Sequence, residues 1–199
     1  MRKGTAPRPY HRTAPSAKTS PTLLLGVTGS IGAYKAADLV EALKERGYRV
    51  VVMMTKEAQA FITPLTLQVL SEGPVYTDLF HDQTARGIVH IELADRASVV
   101  LIAPATANIV GKLAQGIADD LLTCTVLATR APVVLAPAMN VQMYEHPAVQ
   151  RNIERLREIG YTLIEPTWGK LACGYEGVGH LADLDGIVQT VQAVTSRRS

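Results

Sequence analysis

Five short apolar runs, each leading into a turn or a helical stretch, constrain this chain more than any other feature. They cover residues 22–27, 49–54, 98–103, 131–136 and 161–164 and are rich in Val, Leu and Ile. Runs of that length bounded by Gly, Pro and Thr predict strands buried on both faces. Strands alternating with helices predict an α/β fold with a parallel sheet, helices covering both sides. Such open sheets place their ligands beyond the carboxyl ends of the strands. The residues following each run are therefore where function is to be sought.

The run at 131–136 leads into Pro137-Ala138-Met139-Asn140-Val141-Gln142-Met143-Tyr144 and then a helix over residues 146–159. Asn140 either caps that helix or offers its carboxamide to a substrate carboxylate, which it can grip without a charge of its own. After the first run, Thr28-Gly29-Ser30-Ile31-Gly32 turns the chain into a helix that Gly47 stops. Glycines there let backbone N–H groups approach an anion at a helix N-terminus, and Ser30 adds a hydroxyl donor. The spacing is neither the dinucleotide fingerprint nor the Walker lysine motif. The second strand ends in Met53-Met54-Thr55 rather than in the acid that holds a ribose. A mononucleotide with one phosphate fits better, with Thr55 as a further donor ahead of a helix over 56–62. Pro104-Ala105-Thr106-Ala107-Asn108 repeats the arrangement of small residues and hydroxyls at a helix start, suited to a flavin ring edge or a phosphate.

Two residues carry reactive groups. His90 stands at the start of an element on the same side of the sheet as the strand-end motifs, and an imidazole pKa near ~6.5 suits a general base. Cys173 lies in a glycine-rich loop over 169–180 with the character of a lid. Its setting makes it a better candidate for chemistry than Cys124, which sits in an apolar run and reads as a core thiol. Two cysteines make no disulfide framework, and without a secretory segment the chain reads as cytoplasmic.

Charge narrows the partners. Residues 1–21 hold five basic residues, no acid and four prolines, and predict a disordered basic tail ahead of one domain over 22–199. The domain then has 15 basic against 18 acidic residues, so no nucleic-acid surface is expected. No apolar run approaches the ~20 residues needed to cross a bilayer.

Taken in order, Gly29-Ser30, His90-Ile91-Glu92-Leu93, Pro104-Ala105-Thr106-Ala107-Asn108, Pro137-Ala138-Met139-Asn140 with Met143, and Leu171-Ala172-Cys173-Gly174 resemble the motifs of the homo-oligomeric flavin-containing cysteine decarboxylases. That family includes the phosphopantothenoylcysteine decarboxylases of coenzyme A synthesis and enzymes that decarboxylate the C-terminal cysteine of ribosomal peptides. The resemblance implies a flavodoxin-like, Rossmann-type three-layer sandwich, FMN, no metal, and a trimer or a dodecamer built from trimers with FMN between subunits. It implies His90 as general base, Asn140 on the cysteine carboxylate, and Met139 and Met143 shaping the substrate pocket. Cofactor contacts would come from Gly29, Ser30, Ile31, Thr55, Thr106, Ala107, Asn108 and Ala138. The implied chemistry is oxidation of the cysteine by the flavin followed by loss of CO2, leaving an aminoenethiol. In the coenzyme A branch Cys173 then serves as proton donor while the hydride returns.

Tyr144 stands where the family often has Trp, and His180 where bacterial coenzyme A enzymes usually have Arg. Most of those enzymes are also fused to a synthetase, which these 199 residues do not include. Cys173 favours the small molecule; the altered loop and missing synthetase favour a peptide, so both substrates remain open here. A flavin prenyltransferase of the same fold would not need the Pro-x-Met-Asn motif, and a non-catalytic FMN-binding regulator would not need His90.

Overall fold

The apolar runs become the strands of a parallel sheet in a computed structural model, which describes residues 20–80, 88–170, 174 and 176–197. The chain runs β1 (Thr22–Val27), α1 (Ala36–Glu45), β2 (Arg49–Met54), α2 (Pro64–Ser71), β3 (Val75–Tyr76), α3 (Val89–Arg96), β4 (Val99–Ala105), α4 (Ala107–Gln115) and α5 (Leu121–Ala128). It continues with β5 (Val133–Pro137), α6 (Val141–Tyr144), α7 (Pro147–Glu158), β6 (Thr162–Leu163), β7 (Thr167–Lys170), β8 (Glu176–His180) and α8 (Leu184–Ser196). The tail over 1–19, the polar stretch over 81–87 and Cys173 lie outside the described residues.

Six strands pair in parallel in the order β3-β2-β1-β4-β5-β6. β3 is only two residues long; without it the order is that of a flavodoxin-like sheet. The chain moves outward from β1 to β3, then crosses back to lay β4 against the other side of β1. That reversal opens a crevice at the carboxyl ends of β1 and β4.

Strand side chains alternate between two cores, as a pleat with period two requires. Leu23, Leu25 and Val27 face α1, α2 and α8, joining Leu39, Leu67 and Ile187. Leu24, Val100 and Leu135 face α3, α4, α5 and α7, joining Leu93, Ile109, Leu122 and Ile153. The three-layer α/β sandwich expected from the sequence is therefore present.

Four local expectations change. The first phosphate turn passes through a 3-10 segment, Ile31–Lys35, before α1 begins, and the stretch after Thr55 is only a 3-10 turn, Glu57–Ala60. β3 was not legible in a two-residue run. The helix expected over 146–159 is preceded by the separate short α6; His146 caps α7, and Pro147 occupies its first turn, where a missing N–H costs nothing. The loop over 169–180 is not irregular at its ends: β7 and β8 pair as an antiparallel hairpin. No helix among the described residues is long and apolar enough to cross a membrane.

Candidate functional site

The turns after β1, β2, β4 and β5 meet around one cavity of about 300 Å³. Thr28 joins two of them. It is 1% exposed, its hydroxyl donates to the Pro104 carbonyl at 2.6 Å, and it accepts from the Thr106 amide at 3.0 Å. One side chain thus holds together the two turns that flank the crevice. Gly29 is pressed against the turn after β2: a Cβ there would stand 2.4 Å from the Glu57 Cβ. Ser30 caps the 3-10 turn by accepting from the Gly32 amide. The Thr55 amide donates to the Val27 carbonyl, which ties the second turn back to β1.

The side of the wall around α4 is rich in donors. Thr106 caps α4 by accepting from the Ile109 amide, and the first amides of that helix have no intrahelical carbonyl to meet. With the helix dipole behind them they favour an anion. The Ser30 and Thr55 hydroxyls lie on the same wall. Ala138 and Met139, both buried, and Met143, 48% exposed, supply an apolar side. Phosphate-suited donors beside apolar surface fit an amphipathic cofactor such as a flavin mononucleotide.

Every cofactor residue expected from the sequence lines this cavity except Ile31, and Met139 and Met143 line it too. The Ile31 side chain is 59% exposed and lies off the wall. Asn140 sits one residue beyond Met139 and caps the short α6 rather than the helix over 146–159: its carbonyl oxygen accepts from the Gln142 amide at 2.8 Å, a bond that does not involve the NH2 end of the carboxamide. That bond fixes which end of the carboxamide is which. His90 is half-buried in the first turn of α3 and is not on the cavity wall. Its level is nonetheless set. α3 and α5 each lead directly into one of the parallel neighbours β4 and β5, so both start at the carboxyl edge of the sheet, and the Thr129 hydroxyl, after the end of α5, donates to Ala94 late in α3. The start of α5 lines the cavity; the start of α3, with His90, therefore faces the same edge of the sheet.

The hairpin is anchored to the Pro137–Tyr144 region. The Met139 amide donates to the Gly179 carbonyl at 3.0 Å. A Cβ on Gly177 would come 2.7 Å from a Val141 methyl. The His180 ring stacks close to Gly169, and its Nδ1 is buried without a partner among the described residues. The Tyr144 hydroxyl donates to Glu165 at 2.6 Å, and Arg157 pairs with Glu165 and Glu154. Cys124 donates its thiol to the Ala118 carbonyl. Burial, with Asp120 and Asp119 adding to it, pushes that thiol up and keeps it protonated, in keeping with an unreactive role.

Sequence reasoning missed Thr28, Glu57 and Asp120. Asp120 lines the cavity at the start of α5. An acid three residues before Thr123 and just ahead of an apolar run is a helix-start signal, but it carries no hint that the same carboxylate faces a ligand.

The flavoprotein family pattern matches residues 11–196. A probable phosphopantothenoylcysteine decarboxylase of Streptococcus mutans is 49% identical over 172 residues, covering 85% of this chain and 96% of that protein. The coenzyme A biosynthesis bifunctional protein CoaBC of Bacillus subtilis is 53% identical over 170 residues, 85% of this chain but only 42% of the bifunctional protein. The chain thus spans less than half the length of that relative. Among solved structures, a variant PPC decarboxylase complexed with pantothenoylaminoethenethiol superposes with a TM-score of 0.81 at 34% identity, covering 90% of this chain and all of the other. The FMN-dependent cysteine decarboxylase SpaF superposes with a TM-score of 0.79 at 36% identity, covering 90% and 99%. On its sequence and its fold alike, the chain belongs to the flavoprotein family, among the flavin-containing cysteine decarboxylases.

Proposed function

We propose that the chain is a cytoplasmic FMN-dependent decarboxylase acting on the carboxylate of a terminal cysteine, with 4'-phosphopantothenoylcysteine as its substrate in coenzyme A synthesis. The observation that carries this reading is the single cavity where four strand ends bring phosphate-suited donors against Met139 and Met143. Bound FMN supplies an electron sink that makes loss of CO2 from a cysteine feasible.

The chain's own groups do the rest. Asn140 has its oxygen committed to the Gln142 amide, so its NH2 is the end that serves a substrate carboxylate. The His90 imidazole is the base that takes the substrate thiol proton. Met139 and Met143 exclude water from the reacting carbon. Cys173 is assigned the return of a proton when the oxidised intermediate is reduced again.

Because His90 is off the wall of its own cavity, the reading includes a homo-oligomer built from trimers in which a neighbouring subunit completes the site. Phe80, Ile88 and Ile91, all exposed, surround His90 in sequence, and Ile31, Tyr34, Leu65 and Val69 are exposed as well. So much large apolar surface on one chain suits burial against copies of itself. A light-scattering mass of one chain for the FMN-loaded protein would refute the shared site.

The substrate is tested by incubating the FMN-loaded protein with phosphopantothenoylcysteine and, separately, with a peptide ending in cysteine. Decarboxylation with the hydride returned removes about 44 Da, and oxidative decarboxylation about 46 Da. Loss of the smaller mass from the small molecule is expected. Turnover of the peptide alone would move the assignment to peptide tailoring. A protein that binds no FMN would end both.

A further inference from the structure

Among the described residues, Asp120 is the acid that both lines the cavity and is locked in place. It caps α5, with Oδ1 accepting from the Thr123 amide and hydroxyl, both at 2.8 Å. Oδ2 accepts from the Lys112 ammonium at 3.1 Å. Lys112 is shared with Asp119, at 2.7 Å, so the three side chains together keep one net negative charge. Asp119 is off the cavity wall; Asp120 is the member that faces it. Glu57 also lines the cavity but is exposed and can turn to solvent. Burial pushes the Asp120 carboxyl up, yet the bonds from Thr123 and the lysine outweigh it and hold the group below its ordinary value. It is therefore an ionised, acceptor-only group, fixed in place, on a wall where Ser30, Thr55 and the α4 amides offer donors.

That contrast has a consequence for how a flavin lies. A phosphate is drawn to the donors of Ser30, Thr55 and the α4 amides and repelled by Asp120. The parts of the cofactor that carry N–H or O–H donors, the ring imide and the ribityl hydroxyls, are the parts Asp120 can accept from. An anion fixed near the ring also disfavours the extra negative charge of the reduced flavin.

Resting on the reading of this cavity as the FMN seat, we propose that Asp120 is a cofactor-orienting residue that accepts a hydrogen bond from an N–H or O–H of bound FMN and, through its charge, lowers the flavin's reduction potential. The test compares FMN-loaded wild type with D120N and D120S. Both replacements keep a helix-capping side chain, and both remove the charge. Expected are at least tenfold weaker FMN retention, read by flavin fluorescence, and a midpoint potential shifted positive in a dye-coupled titration. A tenfold preference gained by the reduced form corresponds to about 30 mV for a two-electron couple. D119N, which alters the same charge cluster off the wall, should stay within twofold for retention. K112M leaves the Asp120 charge less neutralised without touching the cavity, so it should shift the potential the opposite way, to negative; it decides the matter even if the Asp120 variants fold poorly. Retention within twofold and an unmoved potential in a folded D120N, or no shift in K112M, would overturn the proposal while leaving the FMN seat intact. A wild type that holds no FMN would instead overturn the seat itself.

Discussion

The cavity wall and the edge that carries His90 are built on different terms. On the wall, each turn is tied to the next: Thr28 to Pro104 and Thr106, Thr55 to Val27, Thr106 to Ile109. Its donors are backbone amides and short hydroxyl side chains, which lose little freedom when a ligand arrives. Along the other edge His90 is half-buried in the first turn of an eight-residue helix, flanked by exposed Ile88 and Ile91. One region is finished within a single chain, and the other has apolar surface to spare. The contrast fits the division of labour proposed above: the wall's donors and apolar side come from one chain, while the proton chemistry assigned to His90 would be completed by another copy.

The sharpest way to break that division is His90→Asn. If wall and edge are separate, the variant stays yellow and folded while CO2 release falls by about 10²–10⁴, the span ordinarily lost with a general base. Isotope-labelled CO2 release and the flavin absorbance are the two measurements. Loss of colour together with activity would mean that His90 belongs to the cofactor seat after all. Next in size is Thr28→Val, a change of almost no volume. It strips partners from the buried Pro104 carbonyl and Thr106 amide, and unsatisfied groups of that kind cost about 2–4 kcal/mol together. The denaturant midpoint should fall accordingly and FMN should be held less tightly. An unchanged midpoint would show that the two turns do not need each other.

The two regions were also unequally legible. Glycine and hydroxyl residues after apolar runs announced the wall, because strand-to-helix turns demand those types at fixed offsets. Gly29, Ser30, Thr55 and Thr106 were found this way. Thr28 was not, since its partner lies 76 residues away, and no local pattern reports a bond across the sheet. Asp120 was passed over because a cap explains it fully at the level of sequence. Ile31 was carried along with its neighbours, yet the 3-10 geometry turns it outward. The hairpin of β7 and β8 escaped notice because four glycines between 169 and 180 mask any period-two pattern. His90 was chosen for its chemistry and its place in a motif, and nothing in the sequence told whether it would reach its own cavity.

Between wall and edge lies the Pro137–Tyr144 stretch, and its seating on the hairpin can be probed at Gly177. The missing Cβ lets Val141 approach, so Gly177→Ala forces either Val141 or the hairpin to move. Overpacking of this sort costs about 1–3 kcal/mol. Because α6 carries Met143, the same change should raise KM for the cysteine substrate more than it lowers kcat. Equal loss in both would place the hairpin in the chemical step rather than in substrate binding.

The smallest effect is expected at the far end of α6. The Tyr144 phenol is pushed up to about 12, first by burial and then by the neighbouring Glu165 carboxylate to which it donates. An unfolded tyrosine titrates near ~10. The folded state therefore holds this proton more tightly, so the bond's contribution is whole below pH ~10 and is lost as pH rises through ~12. Tyr144→Phe removes the bond and the titration together. At neutral pH it should cost under about 1 kcal/mol, as a partly exposed hydrogen bond does, and the gap to wild type should narrow when urea unfolding is repeated near pH ~11. Because Glu165 stays paired with Arg157, only the tie to α6 is cut. A KM rise in the phenylalanine variant would show that this tie helps set Asn140 and Met143. An unchanged KM would place the positioning of α6 in its contacts with β8 alone, and would move the boundary between the finished wall and the unfinished edge past residue 144.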